Sequence, residues 1–420
     1  MPISERVQTA SSDQAGLSAS LIEIRLRHEL LHIPIASRSM GMTNIISNSG
    51  RGRLPPPLEA LLGPDAYTHP VTQLQVRETH ISWVILTGPF AYKIKKPVRF
   101  DFIDASTLER RHHYCNEELR LNRRLAPQLY LDVIAITSSS GRVMAGGRGS
   151  PIEYAVRMQQ FDASDELPRL LARDDVSMNE ISALGELLAR FHLSAPVAPR
   201  TGIHEKSQLM YESVFGNLAH LVAHVERLEP IAGLRGIVDW TCDNAPLLET
   251  LSEAREHLGR IRECHGDLHA ANIVRLQSRL APFDCLEFDP QLRWIDVIND
   301  VAFLVMDLVS HKRGDLAFTL LSRYLEITGD YEGIGLLRFY AVYRALVRAK
   351  VDALTAEQVP QRAAELHDRL RQRVHTAVQW THPQQSALIL MHGASGSGKS
   401  WLSEPIWRSE ERRVGKECRS

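Results

Sequence analysis

Hydrophobic and polar positions change their period several times along the chain, and each change marks an expected element. From Leu54 the pattern alternates in short runs. Thr72–Val76 and Ser82–Leu86 read as strands, Gly88-Pro89 as a turn, and Phe90–Lys95 as the third strand of a meander. Thr107–Leu125 has helical spacing, with Tyr114, Leu121 and Leu125 along one face. Leu129–Ile136 and Glu153–Met158 read as two more strands, joined by a Ser/Gly-rich turn region at 138–149. Beyond Phe161 the period becomes helical. Ser177-Met-Asn-Glu180 has the form of a capping box, and Leu184, Leu187, Leu188 and Phe191 give the helix it opens an apolar face. Further helices are expected near 208–228, 245–261, 296–311, 315–327, 333–356 and 360–379, interrupted by two short apolar runs at Ile273-Val274 and Pro282-Phe283. No internal repeat or sustained heptad is visible.

The two ends differ from this body. Residues 1–53 are rich in Ser, Arg and Gly, and apart from an amphipathic stretch from Leu21 to Leu31 they predict an unstructured extension, in which Met40 and Met42 are alternative starts. At the other end, Ser386–Met391 reads as a new apolar strand.

A length of 420 residues leaves room for two or three domains of roughly 150 residues each. A hydrophobic content of 44% and a charged content of 24% are ordinary for a soluble globular chain. The net charge of -1 argues against a broad nucleic-acid-binding field. Cys115, Cys242, Cys264, Cys285 and Cys418 are odd in number and scattered, which suits a reducing cytoplasm better than a disulfide framework. No apolar run approaches the roughly 18 residues of a membrane span, and the start of the chain lacks the pattern of a secretory signal. Neither nucleic acid nor membrane is therefore an expected partner, and the sequence sets no oligomeric state.

The sharpest chemistry lies in His265-Gly-Asp-Leu-His-Ala-Ala-Asn272, followed by Phe283-Asp284. Phosphoryl transfer from ATP needs a carboxylate to orient the acceptor hydroxyl, oxygen ligands for Mg²⁺ and a lysine against the phosphate charge. Asp267 with Asn272 five residues on matches the kinase catalytic loop H-R-D-x-x-x-x-N, Gly standing for Arg. Asp284, at the end of an apolar run, stands where a second metal-binding aspartate is needed, and oxygen donors suit a hard cation. A zinc site from Cys264, His265 and His269 fits none of the common ligand spacings. His265 is expected to pack the loop, with His269 beside the site.

With these residues the chain resembles the aminoglycoside-phosphotransferase-like small-molecule kinases, a branch of the protein-kinase-like fold. Within them it resembles a bacterial subgroup in which that domain is fused to a C-terminal P-loop ATPase domain. The resemblance spans about residues 54–407 and implies an α+β, two-lobed fold, with a small mixed-sheet lobe at 54–161 and a larger helical lobe at 162–380. It implies that Asp267 is the catalytic base, that Asn272 and Asp284 bind Mg²⁺, that ATP is the cofactor and that a small-molecule hydroxyl is the acceptor. Phe90-Ala-Tyr-Lys93 stands where V-A-I-K stands in protein kinases, which makes Lys93 the phosphate-binding lysine. Lys95, on the same strand face, is the runner-up.

Glu118 shares the face of Tyr114, Leu121 and Leu125 and is the expected ion-pair partner ahead of Glu117, with Arg120, Arg123 and Arg124 on a solvated face. Backbone groups of Gln159, Gln160 and Phe161 would lie near the adenine. Two departures stand out. The first two strands are joined by Glu78-Thr-His-Ile-Ser82 rather than by G-x-G-x-x-G, and D-F-G is replaced by Asp284-Cys-Leu-Glu-Phe-Asp289. Glu287 and Asp289 read as surface acids rather than metal contacts. Asp296 is expected to steady the catalytic loop, with Asp300 competing, and either also suits a helix N-cap. Tyr340, Tyr343, Arg344 and Arg348 read as a helix whose arginines are solvated, in preference to an acceptor lining.

Gly393-Ala-Ser-Gly-Ser-Gly-Lys-Ser400 is a full Walker A match after an apolar strand. Gly393 and Gly398 let backbone N–H groups approach phosphate, Lys399 reaches the terminal phosphates, and Ser400 holds Mg²⁺. Residues 381–407 would then be the start of a truncated P-loop domain. The run from Arg408 to Cys418 resembles the translation of a sequencing-adapter oligonucleotide, so 408–420 is expected to be artefactual. One strand and a loop bury too little surface to order, and this P-loop is not expected to hydrolyse ATP alone. The expected activity is that of an ATP-dependent phosphotransferase acting on a small-molecule hydroxyl. Its alternative is a nucleotide-sensing module that regulates the fused P-loop domain.

Overall fold

Six strands from the first part of the chain pair into one sheet: β1 (Gln75–Glu78), β2 (Ser82–Leu86), β3 (Phe90–Lys95), β4 (Tyr130–Ser139), β5 (Arg142–Ala145) and β6 (Ser150–Gln159). This computed structural model describes residues 54–100, 103–199, 214–219, 221–222 and 231–382. The 1–53 extension, the Walker A residues Gly393, Gly398, Lys399 and Ser400, and the 408–420 tail lie outside the described residues. Of the described residues, 54–199 and 259–337 make one compact unit, and 214–258 with 338–382 make another.

The strand order is β1-β2-β3-β6-β4-β5, and every pairing is antiparallel. The mixed sheet expected from the sequence is thereby corrected. β3 and β4 run in the same direction, but β6 lies between them and opposes both. The region 138–149 is a hairpin, in which Ser139 pairs with Arg142 across Ser140 and Gly141. Both turn residues have positive φ, 50° and 80°, as a tight two-residue hairpin requires.

The sheet is covered on both faces. Tyr92 and Ile94 join Trp83 and Ile85 under Leu54, Leu58, Leu61 and Tyr67 from the segment before β1. Ala91, with Val156 and Met158, packs on Cys115 of α1 (Leu108–Asn122). Alternation therefore puts Lys93 and Lys95 on the α1 side. The hydroxyl of Thr107 caps α1 by accepting from the Arg110 N–H, and Arg111 pairs with Glu153 of β6 at 2.8 Å, which fastens the helix to the sheet.

The same unit continues with α2 (Leu167–Ala172) and α3 (Met178–Ser194), whose Ser177/Glu180 capping box is present as expected. β7 (Ile261–Glu263) pairs with β10 (Trp294–Asp296), and β8 (Ile273–Leu276) makes a hairpin with β9 (Arg279–Pro282). α5 (Val297–Ser310) and α6 (Gly314–Thr328) complete it. Gly185 lets α3 meet α6, since a Cβ there would stand 2.7 Å from the Leu320 carbonyl oxygen.

The second unit contains α4 (Leu234–His257), α7 (Ile334–Gln358) from Arg338 onward, and α8 (Ala363–Thr381). Trp240 stacks on Phe339, and buried Asp352 pairs with Arg369 at 2.9 Å. Tyr340, Tyr343, Arg344 and Arg348 are all buried. The solvated face expected for these arginines is thus corrected: both are buried, and Arg344 lies over the Tyr343 ring. Among the described residues, no helix is long and apolar enough to cross a membrane. Cys115, Cys242, Cys264 and Cys285 are free thiols.

Candidate active site

β7 delivers the chain into the His265–Asn272 loop, and Gly266 makes the sharp change of direction possible. Its φ is +86°, and a Cβ at this position would stand 2.8 Å from the Leu292 carbonyl oxygen. Asp300, in the first turn of α5, accepts from the backbone N–H groups of His265 and Gly266, one on each oxygen, both at 2.9 Å. Asp296 instead caps α5 by accepting from the Ile298 N–H at 2.9 Å. The loop-steadying role expected first of Asp296 therefore falls to Asp300, because Asp296 is spent at the helix entrance. His192 of α3 backs Asp300, with Nε2 3.2 Å from its carboxylate and Nδ1 3.0 Å from the Tyr324 hydroxyl. Burial would raise the Asp300 pKa, but His192, His265 and the loop amide outweigh it and hold the carboxyl below its ordinary value.

His265 is buried within the loop. Its Nε2–H donates to the Phe283 carbonyl oxygen at 2.9 Å, and its Nδ1 accepts from the Asp267 N–H at 3.3 Å. Those two bonds fix the neutral tautomer, and burial lowers the ring pKa in agreement. Asp267 Oδ2 accepts from Asn272 Nδ2 at 3.0 Å, and His269 Nε2 stands 3.4 Å from the same oxygen. Asn272 Nδ2 also donates to the Asp267 carbonyl oxygen. The amide nitrogen is thus committed to the loop, and Oδ1 is the atom Asn272 can present to a cation.

The β8–β9 hairpin ends at Phe283 and turns at Asp284, whose φ of +65° is unusual for a residue with a side chain. Two side chains hold this turn. The Asp284 N–H donates to the Tyr130 hydroxyl at 3.1 Å, and the Cys285 N–H donates to Asn122 Oδ1 at 2.9 Å. Asp284 then meets Lys93 at 2.5 Å, and Lys93 meets Glu118 at 2.8 Å. β3, α1 and the turn after β9 thus bring three expected residues together. Burial opposes the charge on Lys93, but Asp284, Glu118 and Glu287 prevail and push its pKa well above the usual lysine value.

Lys95 is also inside, on the face it was expected to share with Lys93, 2.5 Å from Glu118 and paired with Glu287. Other charges differ from expectation. Glu287 is buried rather than a surface acid, while Asp289 caps a short turn by accepting from the Gln291 N–H. Arg120 and Arg123 are exposed as expected, whereas Arg124 is half-buried. Arg120, Arg124 and Arg293 all reach the buried Glu263, at 2.8, 3.2 and 3.2 Å, two residues before His265. Nothing in the sequence signals this cluster, because the partners of Glu263 are distant from it in the chain. The Gln159 and Gln160 N–H groups donate to the Leu129 and Pro89 carbonyl oxygens. Phe161 packs edge-on against Phe283.

The donors supplied by Asp267, Asn272 and Asp284 are all oxygen, which fits Mg²⁺ and not a soft metal.

The chain has mycobacterial relatives. An uncharacterized protein of Mycobacterium tuberculosis and one of Mycobacterium bovis are each 34% identical to it over 343 residues, 80% of this chain and 66% of theirs. The chain thus spans just under two thirds of the length of these curated relatives. No family model matches. Among solved structures, a choline kinase from Cryptosporidium parvum covers 73% of this chain and 88% of its own, with 10% identity and a TM-score of 0.46. A choline/ethanolamine kinase family protein from Mesorhizobium loti covers 74% and 94%, with 13% identity and a TM-score of 0.39. An ADP-bound aminoglycoside phosphotransferase covers 74% and 95%, with 14% identity and a TM-score of 0.35.

Proposed function

We propose that the chain is an ATP-dependent phosphotransferase that moves the γ-phosphate of Mg·ATP to a hydroxyl of a small molecule. One observation carries this reading. Lys93, Glu118 and Asp284, from segments far apart in sequence, meet in the unit that also presents Asp267 on a loop with Asn272 at kinase spacing. Lys93 keeps its charge between two carboxylates and supplies the cation for the phosphate oxygens. Asp267, oriented by Asn272, accepts a hydrogen bond from the acceptor hydroxyl. As transfer proceeds, the bond between γ-phosphorus and the ADP oxygen breaks, the acceptor oxygen bonds to phosphorus, and the hydroxyl proton passes to the Asp267 carboxylate. Asn272 Oδ1 and Asp284 are the residues that would hold Mg²⁺, which when bound offsets phosphate charge and orients the chain of phosphates.

The test is Mg·ATP consumption by the full chain against pooled small hydroxyl metabolites, beside Asp267→Asn. Acceptor-dependent turnover should fall by about a thousandfold or more in the variant, while its Mg·ATP dissociation constant stays within about threefold. Turnover that survives the substitution removes Asp267 as the base. Absence of Mg·ATP binding overturns the assignment, and tight binding without turnover on any pool favours a nucleotide sensor.

A further inference from the structure

Lys95 and Glu287 have no role in the reaction just described, yet they are among its most deeply buried charges, 0% and 5% exposed. Lys93 and Lys95 lie two residues apart on β3 and project to the same side. Glu118 divides its carboxylate between them, Oε1 at 2.8 Å from Lys93 and Oε2 at 2.5 Å from Lys95. Each lysine then takes a second carboxylate from one four-residue segment, Lys93 from Asp284 and Lys95 from Glu287. The result is a row of alternating charges, Asp284–Lys93–Glu118–Lys95–Glu287, with both ends on the turn after β9.

The two halves of the row face different demands. In the phosphotransferase reading, on which this inference rests, Lys93 must turn to phosphate and Asp284 to the metal, so their mutual contact opens. Were Glu118 held by Lys93 alone, that opening would free both the helix carboxylate and the turn. The Lys95 half serves no ligand and stays closed. We propose that Lys95, together with Glu287, is a positioning element: it anchors Glu118 and the 284–287 segment so that Lys93 and Asp284 can exchange each other for phosphate and metal without the site losing its shape. A buried ion pair is weak evidence of net stability, since desolvation consumes much of the attraction. Retention of geometry is the role that this placement supports.

The test uses the full chain as wild type, Lys95→Met, Glu287→Gln and the double variant. Mg·ATP binding is measured by calorimetry, acceptor-free hydrolysis by phosphate release, and folding by the urea midpoint. Each single variant should weaken Mg·ATP binding by about fivefold or more and lower the hydrolysis rate by about tenfold, and the double variant should be no worse than the poorer single, as expected of residues acting as a unit. Lys96→Met, which removes a partly exposed pair with Glu78, should change neither. A purely structural pair would lower the urea midpoint and leave binding by the folded protein unchanged, which overturns the proposal. If Lys95→Met does not fold, the isosteric Glu287→Gln decides alone, and if wild type does not use water as acceptor, binding decides. Failure of wild type to bind Mg·ATP removes the phosphotransferase reading itself, an outcome distinct from variants that match a wild type that binds.

Discussion

Asp300 shows how a single side chain can set the shape of a loop. Each of its oxygens receives one backbone N–H, from His265 and Gly266, and His192 faces the same carboxylate. An asparagine there offers only one acceptor oxygen, and its NH₂ would confront the other N–H. Asp300→Asn should therefore displace the loop and misplace Asp267. Turnover is expected to fall by about a hundredfold and Mg·ATP affinity by no more than about tenfold, because Lys93 and Asp284, two of the three proposed ligands of nucleotide and metal, stand outside the loop and only Asn272 moves with it. Leaving one buried donor unpaired should also cost about 1–3 kcal/mol, read from the urea midpoint. Unchanged kinetics in a folded Asp300→Asn protein would remove the positioning role. The sequence reading put Asp296 ahead of Asp300; local spacing cannot choose between them, since the choice depends on which one the helix entrance consumes.

Among the elements, legibility follows how local the cause is. β2 and β3 fall where alternation places them, and the Ser177/Glu180 capping box forms as read, because these signals sit within a few residues. β7 and β10 have three residues each and no period of their own; they exist through pairing across some thirty residues of chain. The hairpin closing β5 was hidden in a Ser/Gly-rich stretch that resembles a simple turn. Two element-scale outcomes follow from this contrast. Ser177→Ala removes only a cap, so it should cost about 1 kcal/mol in urea unfolding and leave turnover of the folded protein unchanged. Gly266→Ala is different in kind. It sets a Cβ 2.8 Å from the Leu292 carbonyl oxygen at a φ of +86°, so loop or neighbour must move. It should lose about 1–3 kcal/mol of stability and most of the activity together. A fully active Gly266→Ala would show that the loop does not need this backbone conformation.

On the scale of the whole unit, the residues of the His265–Asn272 loop could be found in the sequence because the proposed phosphoryl transfer would fix their spacing. Glu263 could not, because its partners Arg120, Arg124 and Arg293 come from both sides of it in the chain and only the fold brings them together. The cluster joins α1, which carries Glu118, to the strand entering the His265–Asn272 loop, so the same charges bear on stability and on the candidate site. Burial alone would raise the Glu263 pKa, but the Arg120 hydrogen bond and the charges of Arg124 and Arg120 prevail and hold it at about 2. An unfolded glutamate titrates near 4.3. A carboxyl depressed in the folded state contributes stability that is fully present above the unfolded pKa and is lost as pH falls through the folded one. The window is thus from about pH 5 down to about pH 2, and the contribution at neutral pH is on the order of 2 kcal/mol after allowance for solvent screening. Glu263→Gln should be less stable than wild type by about that amount at pH 7, and the difference should shrink steadily below pH 5 and nearly close at pH 2. Urea midpoints of both proteins across that range decide the matter. A gap that stays constant with pH would mean that Glu263 contributes through packing rather than charge, and the arginine cluster would then not be what ties α1 to the loop.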